Sequence, residues 1–89
     1  LEAFLKSYPE TPHIYETHLL LGICFYNRNN PSRALYEFGI ILNVPGGNEF
    51  QDEALYWSGE TYFKMGDLKQ ALEFYQKIID ILFIRRADV

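Results

Sequence analysis

The sequence predicts an all-α fold, antiparallel helix-turn-helix repeats stacked as an α-solenoid, on three observations. Shifted by 37 residues, the chain matches itself: Glu16 meets Glu53, Gly22 meets Gly59, Phe25 meets Tyr62, and Tyr26 meets Phe63. The same shift lays Ala34 on Ala71, Leu35 on Leu72, Phe38 on Tyr75, and Ile41 on Ile78. Within each copy, apolar residues recur at helical spacing between Pro, Gly and Asn breakers. Sustained alternation bounded by hairpin dipeptides, the mark of strands, is missing from the sequence. Self-similarity at such a period is the signature of units that bury their apolar faces by stacking on one another.

The elements follow in order. Applied backwards, the shift places Leu1, Phe4 and Leu5 over Phe38, Ile41 and Leu42, so residues 1–8 are expected to end a preceding repeat's second helix. Thr11 offers an N-cap with Pro12 at the first helical position, predicting a helix over about 13–29 that Asn29, Asn30 and Pro31 stop. Asn30 caps the next helix, 31–43, which Val44, Pro45, Gly46 and Gly47 break. Asn48 with Gln51, and Asp67 with Gln70, have capping-box spacing and predict helices over 49–65 and 68–85, with Gly66 as the left-handed residue between them. The expected organisation is a first repeat over 12–47, a second over 48–85 with an extended second helix, and a tail at 86–89. Together these make one domain, read as a fragment of a longer chain.

Gly59, Tyr62, Ala71 and Tyr75 have the spacing of small and aromatic residues that marks one repeat family. The second copy, from Glu53 to Tyr75, resembles a tetratricopeptide repeat. The first copy meets the same pattern with Leu21, Gly22, Phe25, Ala34 and Phe38, and departs from it at His18, where a bulky apolar residue is usual. Further departures are Ile41 and Ile78 at the second small position of each second helix, Phe83 at the closing Pro, and the longer period. The segment Tyr8, Pro9, Glu10, Thr11, Pro12 looks like the inter-repeat turn of periplasmic tetratricopeptide proteins of diderm bacteria, of the Tol-Pal cell-division coordinator and outer-membrane assembly lipoprotein type. That resemblance implies a superhelix with a concave groove, a protein or peptide ligand, and a place in the bacterial envelope or periplasm.

The pattern itself implies a binding surface. Gly22 with Ala34, and Gly59 with Ala71, should sit where the helices of each hairpin cross, letting the axes approach closely. Leu21 and Phe25 are expected to interlock with Leu35 and Phe38, and Tyr62 with Leu72 and Tyr75. Leu19, Ile23, Tyr26 and Asn27, and then Tyr56, Glu60, Phe63 and Lys64, step by three and four. Each set forms a stripe expected to face away from its own second helix and to line the groove. Because Glu16, Glu53 and Glu60 outnumber Lys64, the expected ligand has apolar anchors and a neutral or basic flank. In some members of the family Lys and Asn side chains hold a terminal carboxylate; the clamp's Asn corresponds here to Ile23 and Glu60, which disfavours that ligand.

Other functions find less support. Eighty-nine residues hold one small domain and no two-lobed enzyme, and a net charge of -4 has the wrong sign for a nucleic-acid partner. No cofactor or metal site is expected: His13 and His18 fall about 140° apart on a helix, so they cannot bind one zinc side by side. Cys24 aligns with Thr61 in the band between successive first helices and reads as packing. Glu49, Asp52 and Glu53 read as carboxylates favouring a helix N-terminus, while Glu60 with Lys64 and Glu73 with Lys77 read as solvated pairs. No apolar run is long enough to cross a bilayer.

From Ile78 to Ile84 every residue but Asp80 is apolar, so the last helix is apolar around a wider arc than one hairpin covers. Ile78, Ile81, Leu82 and Phe83 are therefore expected to meet a following repeat or another copy of the chain, giving a possible homo-oligomer through this helix. Arg85 and Arg86 are expected to complement the helix C-terminus. The alternatives to a non-catalytic interaction scaffold are a structural self-associating segment and an accessory domain of a larger enzyme.

Overall fold

The computed structural model describes residues 13–87 and holds four helices: α1 (Ile14–Asn27), α2 (Pro31–Leu42), α3 (Gln51–Met65) and α4 (Leu68–Ala87). No strand occurs among the described residues. Each helix packs on the next, and α1 also touches α3. The result is two helical hairpins stacked side by side, the arrangement of an all-α repeat solenoid. Residues 1–8, the Thr11 and Pro12 start signal, the segment 8–12 and the last two residues of the expected tail lie outside the described residues.

Both hairpins close by the same device. A Cβ added to Gly22 would bring three ring atoms of Phe38 within 3.0 Å, and one on Gly59 would stand 2.7 Å from the Tyr75 ring. The missing side chain lets an aromatic ring lie flat across the first helix of each pair. Ala34 and Ala71 are buried beside these crossings, as the duplicated small-residue pattern predicts. The interior is concentrated around α2, where Leu19, Ala34, Phe38, Ile41 and Ala54 form a cluster with Trp57 and Leu42 packed against it.

The turns repeat too. After α1, Asn29 takes a left-handed φ of 61°, its N–H donates to the Tyr26 carbonyl, and Asn30 N–H donates to the Phe25 carbonyl. After α3, Gly66 takes φ 85°, and Asp67 N–H donates to the Tyr62 carbonyl. Both ends use the bond back across six residues that closes a helix with one left-handed residue, and Asn29 does what Gly66 does 37 positions later. The next residue in each copy opens the following helix: Asn30 Oδ1 accepts from Arg33 N–H, and Asp67 Oδ1 from Gln70 N–H.

Five boundaries differ from expectation. α1 begins after His13, which makes no side-chain cap, and ends at Asn27, while α2 ends one residue early, at Leu42. α3 begins at Gln51 after Phe50, so Asn48 is no N-cap; it folds its own turn and ties that turn to the end of α2, its Oδ1 accepting from Phe50 N–H and its Nδ2 donating to the Ile41 carbonyl, each at 2.9 Å. α4 continues to Ala87, taking Arg86 and Ala87 out of the expected tail.

Candidate functional site

Of the face expected to line a groove, α3 supplies the most exposed part. At 3.6 residues per turn, Glu53, Tyr56, Glu60, Phe63 and Lys64 fall on one arc. Tyr56 is 46% exposed and Phe63 is 60% exposed, large apolar rings turned to solvent. Behind them stands Trp57, packed on the core, with its ring edge-on to Tyr56 at 5.5 Å and to Tyr26 of α1 at 5.4 Å. Three aromatic rings from two hairpins are thereby joined, in the edge-to-face geometry that ring quadrupoles favour. Trp57 is not among the expected stripe residues, although it stands three before Glu60 and seven before Lys64; as the only Trp of the chain, aligned with Leu20, it carried a signal of its own.

The other expected groove residues fall in different places. Leu19 is buried in the core cluster, and Ile23 is half-buried against it, so neither lines an open groove. Asn27 is exposed at the end of α1. Glu60 does not simply face away from its own second helix, because the Tyr75 ring passes over Gly59 and its hydroxyl donates to Glu60 Oε1 at 2.5 Å. Burial, reinforced by the Glu60 carboxylate, holds the Tyr75 hydroxyl well above the usual tyrosine pKa.

Lys64 pairs with α1 in place of Glu60. Its Nζ donates to the Tyr26 carbonyl at 3.1 Å and lies 4.4 Å from the centre of the Tyr26 ring. A cation at the last turn of α1 complements the partial negative charge of that helix end. Lys64 thus pins the C-terminal ends of α1 and α3 together, and beside it a hollow is lined by Tyr26, Asn29, Pro31, Thr61 and Met65. With Glu60 and Lys64 both engaged, Glu16 and Glu53 are the exposed charges of this face without a partner among the described residues.

Elsewhere the expected contacts are redistributed. Tyr62 stacks on Phe74 at 5.5 Å and not on Leu72, which is 67% exposed. Lys77 lies over the Phe74 ring. Cys24 is exposed, whereas its equivalent Thr61 is buried with Oγ1 donating to the Trp57 carbonyl. Arg85 reaches Asp52 at 2.7 Å, so it ties the end of α4 to the start of α3 instead of only complementing its own helix end. His18 meets Glu37 at 2.6 Å inside the first hairpin. On α4, Ile78 and Ile81 are half-buried, while Leu82 and Phe83 are exposed.

Among the described residues, no cluster of His, Cys, Asp and Glu could hold a metal ion, and no helix is long and apolar enough to cross a membrane.

Residues 53–81 match the family model of the tetratricopeptide repeat. The matched segment takes in most of α3 and α4 through Ile81, including the Gly59 and Tyr75 crossing. Repeats of this family generally mediate protein–protein interaction. Neither a curated protein nor a solved structure matches the chain.

Proposed function

We propose that the chain is a non-catalytic interaction module that holds an extended peptide or docked helix of a partner protein against the face of α3. The observation that carries this reading is the pair of exposed rings, Tyr56 and Phe63, backed by the Trp57 and Tyr26 cluster. Aromatic anchors on a rigid helix supply contact area with few rotamers to freeze, which is how a few side chains come to dominate binding. The free charge of the face is Glu16 and Glu53, so the favoured ligand places a Lys or Arg beside its apolar anchor. A setting in bacterial envelope assembly has only the wording of residues 8–12 behind it, and the proposed contact requires no particular compartment.

The test is to pan a displayed random-peptide library on the wild-type chain and on Phe63→Ala, and to titrate enriched peptides while following Trp57 emission. Enrichment of peptides that pair an apolar residue with a basic one, lost in Phe63→Ala and in Tyr56→Ala with helical content retained, is the expected result. Enrichment that is equal on the variants would remove this face from the site.

A further inference from the structure

One flank of α4, bordering the side that packs on α3, has a spacing of its own. Leu68, Leu72, Tyr75, Ile79, Leu82 and Arg86 follow one another at steps of four, three, four, three and four, the 3.5-residue period of a helix that meets another helix along its length. Leu68, Leu72, Ile79 and Leu82 are each more than half exposed, and Phe83, flanking the seam, is 73% exposed. On α2, by contrast, the aligned Leu35 and Leu42 are half-buried, Leu42 against the cluster that includes Ala54 of α3. The same face is covered in the first hairpin and open in the second.

The seam also departs from the first repeat in its backbone. The chain leaves α2 through Pro45, Gly46 and Gly47 and turns back to form α3; the residues aligned with those three are Leu82, Phe83 and Ile84, which continue α4 as helix. The seam therefore runs on as helix where the first repeat turns back, which lengthens the face available to another helix.

We propose that this seam is covered by α4 of a second copy of the chain, antiparallel and related by a twofold axis level with Lys77. The spacing is symmetric about that residue. Leu72 faces Leu82 of the second copy, Leu68 faces Arg86, and Ile79 meets the outer edge of the half-buried Tyr75 ring, whose inner side crosses Gly59, so each layer joins the two kinds of seam position as antiparallel helices require. Charge agrees with the orientation. Asp67 at the start of α4 comes beside Arg86 of the second copy, an exposed cation without a partner among the described residues. The hollow between Ile79, Leu82 and Phe83 is the hole that receives Leu72 of the other chain. Leu68, Leu72, Ile79, Leu82 and Phe83, each more than half exposed, supply the apolar centre that a stable interface of ~800 Å² per partner needs. This contact leaves Tyr56 and Phe63 open, so it stands independently of the peptide-binding reading.

The experiment is sedimentation of the full chain across a wide concentration range, with disulfide trapping. A dimer is expected, with a dissociation constant raised at least ~tenfold by Leu82→Asp. In a Cys24→Ser background, Leu72→Cys with Leu82→Cys should oxidise to a covalent dimer while Leu72→Cys alone does not. A monomer at every concentration, or a dimer that Leu72→Cys alone traps as readily as the double variant, would overturn the proposal, and trapping reads the register even where Leu82→Asp unfolds.

Discussion

His18 Nδ1 and Glu37 Oε1 lie 2.6 Å apart in the first hairpin, at the two positions that the second hairpin fills with Leu55 and Phe74. The two repeats solve one packing problem in two ways, with a polar His–Glu contact in the first and apolar side chains in the second. Glu37 is only 2% exposed, so its carboxylate depends on His18 in place of the water it has given up. Truncating His18 to Ala strands that carboxylate and should cost about 3–5 kcal/mol in urea unfolding, whereas His18→Leu with Glu37→Met should be neutral or stabilising by about 1–4 kcal/mol. A double variant as unstable as the single one would mean that the contact does more than fill space.

Gly59 and Gly22 are required for a different reason, the ring that occupies the place of their Cβ. Gly59→Ala raises helix propensity by roughly 1 kcal/mol, yet it must move the Tyr75 ring, and with it the hydroxyl that holds Glu60. Overpacking of this kind typically costs about 1–3 kcal/mol, and the net expected change is a loss. Gly39 offers the control: a Cβ there meets nothing within 4 Å, so Gly39→Ala should be neutral or stabilising in the same urea assay.

These glycines show what a sequence can display and what it cannot. Close approach of two backbones excludes every larger side chain, so Gly22, Gly59, Ala34 and Ala71 were legible as a repeated pattern. The cap residues Asn29, Asn30, Gly66 and Asp67 were legible for the same reason, each being needed locally. What escaped depends on reach. Glu60 and Lys64 sit at salt-bridge spacing on one helix, but Tyr75 extends across the gap left by Gly59 to take the first, and the last turn of α1 draws the second. Leu19 and Tyr56 are aligned by the repeat, yet one is in the core and the other in solvent, because neighbouring hairpins cover the two copies differently. The stripe therefore identified α3 as the exposed face and misplaced half of α1.

The Tyr75 hydroxyl should make stability fall in alkali. Its pKa is raised in the folded chain by burial and by Glu60, so the folded state retains the proton where the unfolded state has lost it. The contribution is fully present below the ordinary tyrosine pKa of about 10, and declines as pH rises above that value toward the higher folded one. Tyr75→Phe should therefore be less stable than wild type near neutrality and should lose less stability between about pH 9 and pH 11. Parallel urea midpoints for the two proteins would show no difference in slope if Tyr75 titrated as it does in the unfolded chain.

Asn48 holds the two hairpins in register. Its side chain uses both ends at once, accepting from Phe50 N–H just ahead of α3 and donating to the Ile41 carbonyl in the last turn of α2. Ala at this position leaves both backbone groups in need of partners where water has partial access, a loss of about 1–2 kcal/mol for two neutral bonds. Asp keeps the acceptor but cannot donate, and it sets a carboxylate against a carbonyl at a helix C-terminus, where negative charge is unfavourable. Asn48→Asp should accordingly be at least as damaging as Asn48→Ala at neutral pH and should recover part of its stability in acid, as the carboxyl gains a proton able to donate. Thermal unfolding of both variants at pH 7 and near pH 4, the ordinary range of an aspartate, would decide it: Asn48→Asp with wild-type stability at neutrality would show that the bond to Ile41 carries no weight in joining the repeats.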